Sequence, residues 1–559
     1  MSGQGSPEPA LEAARRALTE RGYLGPALPA APEQRWKPIF RILLFAVALA
    51  AAVTTVAVGS GQVDWRQGLV LCLALFPAAL GVVAAGVLLG RLAASLLMRV
   101  GAEPAGAAQG LAITAALGVF GLVGVSCQPF LVTAGAVLGL LAGAVLAVVA
   151  GVVVRRALLA VLSVPAPTRP ARDATLGTLA AVLVAGAVGA VVLAWRGGTD
   201  RPVRGAEPLP PPQGRVAVVA VDGLGREEFE AVSALLGPQA LGGAASWGWA
   251  RVEAPATTLP AVWWTTLACG VSPGRHGVVV VDEVRLFGAD SGVALSPVAR
   301  AAVVTLWEPF GLARVVARPA LVRREPTFWE MASRAGCPVT VGGWWGSWPV
   351  RRVLGEVASE RAWLGGGDGE DAVTPGLAPM VRQAWSGAGG AATVTSKLAL
   401  LLAERAVGET GTQLVALAFP ALDIERRSLP HASPLVMTMR EQPHLISLGS
   451  LLGTLERAGF TVYLVAVPWH GGVPFVASSA AAAGEHQRLG AYDLVATVLD
   501  HLGLPAPLGV PAPRRDFSGV SGPQRPAASY GPPPPPLAAP SAADRQTQRE
   551  LLRNLGYLQ

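Results

Sequence analysis

The run Val216-Ala-Val-Val-Ala-Val-Asp222-Gly-Leu-Gly225 places an acidic side chain at the end of an apolar, β-branched stretch. Such a run reads as a buried parallel strand, and the carboxyl ends of strands are where open α/β sheets present side chains to a crevice. A carboxylate delivered there can ligate a metal, move a proton or hold a substrate, and a capping or turn Asp explains the same pattern. The cysteines are Cys72, Cys127, Cys269 and Cys337. Cys72 and Cys127 lie in apolar segments, while Cys269 and Cys337 lie in stretches that read as buried. They do not form a disulfide framework.

The elements that must position Asp222 follow from how composition shifts along the chain. It is 52% hydrophobic and 14% charged, with a mean hydropathy of +0.46, values that depart from globular averages towards a membrane class. Ala, Val, Leu and Gly dominate between Ile39 and Trp195, and charged residues, Pro and Trp return after Gly197. The expected organisation is a cytoplasmic segment 1–38 with a short helix, a transmembrane region 39–196, a Pro-rich linker 197–213, an α/β domain 214–525, and a Pro-rich arm with a terminal helix 526–559. The stretches 42–59, 68–90, 108–126, 130–154 and 175–195 are each near the ~20 apolar residues a spanning helix needs. They predict an N-terminal α-helical transmembrane bundle of about five spans. Basic residues Arg35, Lys37 and Arg41, then Arg91 and Arg99, then Arg155, Arg156, Arg169 and Arg172 fall in alternate loops. By the positive-inside rule the N-terminus is cytoplasmic and the domain after Trp195 is periplasmic or extracytoplasmic. The implied setting is a bacterial inner membrane, with the lipid bilayer and membrane or envelope proteins as partners. Few polar groups lie within the spans, so they read as anchor or assembly helices and not as a transport path. The net charge of +7 comes from dispersed Arg and does not mark a nucleic-acid partner.

A longer motif follows the first strand: Thr257-Thr-Leu-Pro260-Ala-Val-Trp-Trp-Thr-Thr-Leu-Ala-Cys-Gly-Val-Ser-Pro-Gly-Arg-His276-Gly277. It resembles a segment of the alkaline phosphatase superfamily, in its type I phosphodiesterase/nucleotide pyrophosphatase branch. Further matches run in the same order: Pro326-Thr-Phe-Trp-Glu-Met with Gly342-Gly-Trp-Trp-Gly-Ser-Trp-Pro349, Asp423 after Leu414-Val-Ala-Leu-Ala-Phe-Pro, Tyr463-Leu-Val-Ala-Val-Pro-Trp-His470-Gly471, the helix-like run Tyr492–Pro505, and Leu552-Arg-Asn-Leu-Gly-Tyr-Leu558. The resemblance covers nearly all of 214–559. It implies an α/β alkaline-phosphatase-like domain with a central, mostly parallel sheet flanked by helices, two metal ions at the strands' carboxyl ends, and a Ser or Thr alkoxide that attacks phosphorus.

Carried onto this chain, the resemblance makes Asp222, Asp423 and His470 remnants of the metal ligands, and the rest of the pattern breaks. Counting back ten residues from Gly270 to the nucleophile position lands on Pro260, which has no hydroxyl; Thr258 lies just upstream and is the candidate nucleophile, with Thr257 a weaker one. Arg427 stands where a His ligand is expected, and a guanidinium has no lone pair to donate. Trp469 replaces the Asp before His470, and the closing His is missing. His431, His486, Glu425 and Asp282 are candidate replacements. His276 reads as a structural hydrogen-bonder of its loop. Residues acting as one catalytic unit fail together, so the chain is expected to be a pseudoenzyme serving as a binding or scaffold protein, with no cofactor. The alternative is an active phosphodiesterase, phosphotransferase or sulfatase-like hydrolase using Thr258 and one or two Zn ions.

Gly531-Pro-Pro-Pro-Pro-Pro-Leu537 reads as a polyproline II spacer that carries a terminal helix from Ala542 to Leu555, or as a ligand for an aromatic groove. The tryptophans of Trp263-Trp264 and Trp344-Trp345-Trp348 are read chiefly as core, the alternative being a rim of aromatics around a former substrate pocket that binds a lipid headgroup, glycan or peptide.

Overall fold

The computed structural model describes residues 206–237, 241–253, 260–278, 282–286, 295, 297–317, 323–365, 367–408, 411–468, 472–538 and 540–555, with scattered positions between 43 and 84. The chain divides into two compact units, Met1–Asp200 with Val284–Arg314, and Arg201–Glu283 with Val315–Gln559.

The expected transmembrane bundle is corrected by the structure. Among the described residues no helix is long and apolar enough to cross a membrane. The segments 108–126, 130–154 and 175–195 lie outside the described residues, as do most of 42–59 and much of 68–90. Where the first unit is described, Leu71, Ala74 and Leu75 are buried at helical spacing, and Trp307 of the helix Pro297–Trp307 donates its indole N–H to the Ala74 carbonyl at 2.8 Å. An apolar stripe that packs against protein and one that faces lipid give the same hydropathy signal, and Ala, Gly and Val raise that signal in either setting.

The second unit is a mixed α/β sheet domain. Its strands are β1 (Val216–Asp222), β2 (Gly248–Glu253), β3 (Val339–Gly342), β4 (Gly355–Ala358), β5 (Leu414–Phe419), β6 (Thr461–Val467) and β7 (Phe475–Ser478). They lie in the order β2-β7-β6-β1-β5-β3-β4, with the short strand Gly484–Glu485 outside β2. The block β6-β1-β5-β3-β4 is parallel, with Val219 opposite Leu417 on one side and Leu464 on the other. β7 is antiparallel to both β6 and β2. Every residue of β1 and β5 is buried. That is why their sequences are continuous apolar runs without alternation: helices cover both faces of a parallel sheet.

The helices used below are α1 (Arg226–Leu236), α2 (Pro260–Cys269), α3 (Phe328–Arg334), α4 (Arg361–Gly365), α5 (Ala378–Trp385), α6 (Ala391–Gly408), α7 (Ala421–Ser428), α8 (Pro434–Arg457), α9 (Asp493–His501) and α10 (Ala542–Asn554). α2 is buried along nearly its whole length and has no polar face, so the Trp264 indole and both threonine hydroxyls find partners inside the protein, while the buried Trp263 indole N–H has no hydrogen-bond partner among the described residues.

Candidate functional site

Asp222 ends β1 and α7 begins just past β5, so two neighbouring parallel strands bring Asp222 and Asp423 to one edge of the sheet. Gly223 makes this approach possible. Its φ is +89°, and a Cβ there would lie 2.7 Å from the Asp423 backbone nitrogen. Its N–H and that of Leu224 both donate to the Val467 carbonyl at the end of β6. Gly223→Ala combines a positive φ with a backbone collision and is expected to cost about 1–3 kcal/mol, measured as a lower urea midpoint with unchanged denaturant slope.

The two carboxylates are buried, with relative exposures of 6% and 5%. Each is already committed. Asp222 Oδ1 accepts the Trp264 indole N–H at 2.7 Å, and Oδ2 accepts that of Trp345 at 3.2 Å. Asp423 Oδ2 accepts from Arg427 Nε at 2.7 Å and Oδ1 from Arg427 Nη2 at 3.3 Å, a fork closed within one turn of α7. Burial, reinforced by the Asp423 charge, pushes the Asp222 carboxyl up to about 7; the two indoles and Arg427 pull the other way.

The indole donors are held in turn. Trp264 and Trp344 meet edge to face at 5.7 Å, and the Trp344 N–H donates to the Trp264 carbonyl. Trp345 stacks edge-on against Trp363 of α4, whose N–H donates to the Gly343 carbonyl. Gly346, at φ +76°, sits so close to α2 that a Cβ would lie 2.6 Å from Thr265 Oγ1. Beneath this tryptophan loop the buried Glu360 carboxylate accepts the backbone N–H groups of Gly346, Ser347 and Trp348 and the Ser347 hydroxyl. Burial raises the Glu360 carboxyl, opposed by those donors.

The other residues singled out in the sequence are dispersed. Thr257, Thr258, Trp469 and His470 lie outside the described residues. Pro260 is the first residue of α2, a helix position at which a missing N–H costs nothing. His276 is fully buried; its Nδ1 accepts the Val278 N–H, so Nε2 carries the hydrogen and donates to Thr266 Oγ1, which donates to the Val262 carbonyl. Burial, with Arg323 nearby, pushes His276 down to about 3, so it is a neutral structural hydrogen-bonder. His431 is exposed. His486 faces the Ala482 carbonyl and Phe517, and Glu425 faces His444, whose other nitrogen meets Ser396. Asp282 opens the strand Asp282–Leu286. Among the described residues no group of three or more His, Cys, Asp or Glu could hold a metal ion.

Among the described residues, the donors at Asp222 and Asp423 do not fit the two metals that the family resemblance implies. A metal at Asp222 must displace an indole N–H from a carboxylate oxygen, and one at Asp423 must displace a guanidinium that already neutralises it. Sequence reading found the carboxylates and Arg427 but missed Trp264 and Trp345 as their partners. The available signal was the clustering of tryptophans in the two segments that flank the crevice.

No known family model matches the chain, and no curated protein matches it. Solved structures similar in fold include phosphonoacetate hydrolase from Sinorhizobium meliloti 1021 in complex with phosphonoformate, at 17% identity over 46% of this chain and 57% of that one, with a TM-score of 0.29. They also include an inactive form of murine ectonucleotide pyrophosphatase/phosphodiesterase 5 in complex with AMP, at 13% identity over 45% and 56%, with a TM-score of 0.29. Both belong to the alkaline phosphatase superfamily. The chain spans a little over half the length of either.

Proposed function

We propose that the chain is a catalytically impaired relative of the type I phosphodiesterases that works as a binding or scaffold protein through the crevice at Asp222 and Asp423. The observation that carries this reading is the Asp423–Arg427 fork. Where the resemblance calls for an imidazole that shares a cation, the chain supplies a cation of its own, fixed covalently four residues along the same helix. A guanidinium can neutralise a carboxylate and orient an anion, but it cannot generate a metal-bound nucleophile. The indole pair on Asp222 supports the same reading, because both oxygens of that carboxylate are turned towards donors of the protein itself.

The test is metal analysis of the purified chain together with hydrolysis of a generic aryl phosphodiester in zinc-supplemented buffer. The expected result is zinc well below one equivalent and hydrolysis at the buffer background. Tight binding of two equivalents, or turnover abolished by Thr258→Ala, would overturn the proposal in favour of an active hydrolase.

A further inference from the structure

The Pro-rich arm is docked on the domain along its length. A proline run has carbonyls and no N–H groups, so a surface that holds it must supply donors. Here the donors are arginines and one backbone amide. Arg334 of α3 donates to the carbonyls of Tyr530 and Pro532. Arg351 Nη1 donates to the Pro534 carbonyl at 2.6 Å, and the Arg352 N–H to that of Pro535 at 3.1 Å. The first amide after the prolines, Leu537 N–H, returns the exchange by donating to the Val350 carbonyl at 2.8 Å. Past the run, α10 is clamped by Arg361, which donates to the Asp544 carbonyl and to Asp544 Oδ1 while its guanidinium lies 5.1 Å from the Trp348 ring.

The segment that the arm grips, Val350–Arg352, is the direct continuation of the tryptophan loop that delivers Trp345 to Asp222. Glu360 holds the middle of that loop, and the arm holds its exit. The beginning of the arm also lines a cleft of about 630 Å³, to which Tyr530, Gly531 and Pro532 contribute together with Arg275 and Glu325. Pro532 and Pro535 are exposed to solvent, so the run offers a face to a partner while its carbonyls face the domain.

We propose that the C-terminal arm is a polyproline II strap that locks the tryptophan loop onto Asp222, so that release of the arm loosens the crevice. The proposal rests on the reading of that crevice as the binding site. Lifting the strap removes the arm's own bonds to Val350, Arg351 and Arg352, leaving the Val350 N–H on the Asp371 carbonyl and the sheet intact, so the loop can loosen without unfolding the domain. Release of the arm is thereby coupled to the state of the crevice, by the difference in contacts between strapped and released forms.

The test uses the full chain and two variants, Arg334→Ala and the triple Pro533→Gly, Pro534→Gly, Pro535→Gly, followed by hydrogen exchange. Both variants are expected to speed exchange at the Leu537 and Arg352 amides and, with them, at the Gly346, Ser347 and Trp348 amides by about tenfold, with β1 and β5 unchanged. Faster exchange in the arm with an unaltered loop would overturn the proposal, as would an arm that stays protected in both variants. The outcome is separable from the metal test: a loop that loosens in a zinc-binding chain keeps the strap and removes the pseudoenzyme reading, and a rigid loop in a zinc-free chain does the reverse.

Discussion

Glu330→Ala is expected to destabilise the domain by about 3–5 kcal/mol and to lower its melting temperature by roughly 10 °C. Glu330 and Arg323 form a bidentate pair with side chains only 2% and 1% exposed. Burial alone would raise the Glu330 carboxyl, but Arg323 and Arg351 outweigh it and hold it below the usual range. The carboxylate also accepts the Thr327 N–H at the start of α3. Removing it leaves two buried guanidinium groups facing each other without the charge between them, and burial with Arg323 already depresses the Arg351 guanidinium to about 10. Arg323→Met combined with Glu330→Leu is expected to recover part of the loss, because replacing both members of the bidentate pair by apolar groups of similar volume removes one of the two uncompensated charges and leaves only Arg351. Calorimetry of the single and double variants checks this, and equal melting points for all three would show that the pair contributes nothing. The effect reaches the crevice indirectly: α3 also carries Arg334, which grips the arm.

The parallel core was legible because its strands are continuous apolar runs bounded by Gly, Pro and Asp. Val216–Asp222 and Leu414–Phe419 announce themselves as buried on both faces, and the Asp at or just after their carboxyl ends marks the crevice edge. The antiparallel strand β7 and its neighbour β2 were not legible, since Phe475–Ser478 is only four residues long and its pairing is set by partners distant in sequence. The apolar N-terminal third misled for a related reason. Hydropathy measures how much a segment avoids water and does not say whether protein or lipid covers it, and Leu71 and Leu75 are covered by protein.

At the site, departures from the resembled motif could be counted from residue types alone, but what stands against the carboxylates instead could not. That Arg427 closes on Asp423 follows from their spacing on one helix turn, a relation visible in sequence as an i,i+4 pair. That Trp264 and Trp345 converge on Asp222 depends on a helix and a loop separated by many residues, positioned by Gly346 and Glu360. The proline run was similarly ambiguous. Its backbone conformation can be read from composition, but whether it is a spacer or a docked ligand depends on arginines at 334 and 351 that have no sequence relation to it.

Asp222 should make the chain less stable as pH rises from about 4 to about 7, by up to about 4 kcal/mol. Its folded value lies near 7 against an ordinary 3.8, so across that window the native state holds a proton that the unfolded chain has released. Stability from this group is fully present below the unfolded value and is lost as pH climbs through the folded one; above it, the native state must keep a charge in a dry site beside Asp423. Asp222→Asn cannot ionise, although its amide presents a donor to one indole N–H and so costs a hydrogen bond at every pH. The decisive quantity is therefore the difference in unfolding free energy between wild type and Asp222→Asn, measured in urea at pH 4.5, 6 and 8. It should shift against the wild type by several kcal/mol between the extremes, and a difference that does not move with pH would show the carboxylate to be ionised throughout, held by its indoles and by Arg427. The shift would mean that a side chain placed where the sequence resemblance implies a metal ligand meets a proton instead. Zinc then has to compete with that proton as well as with the tryptophans, which makes any residual metal binding weakest in acid.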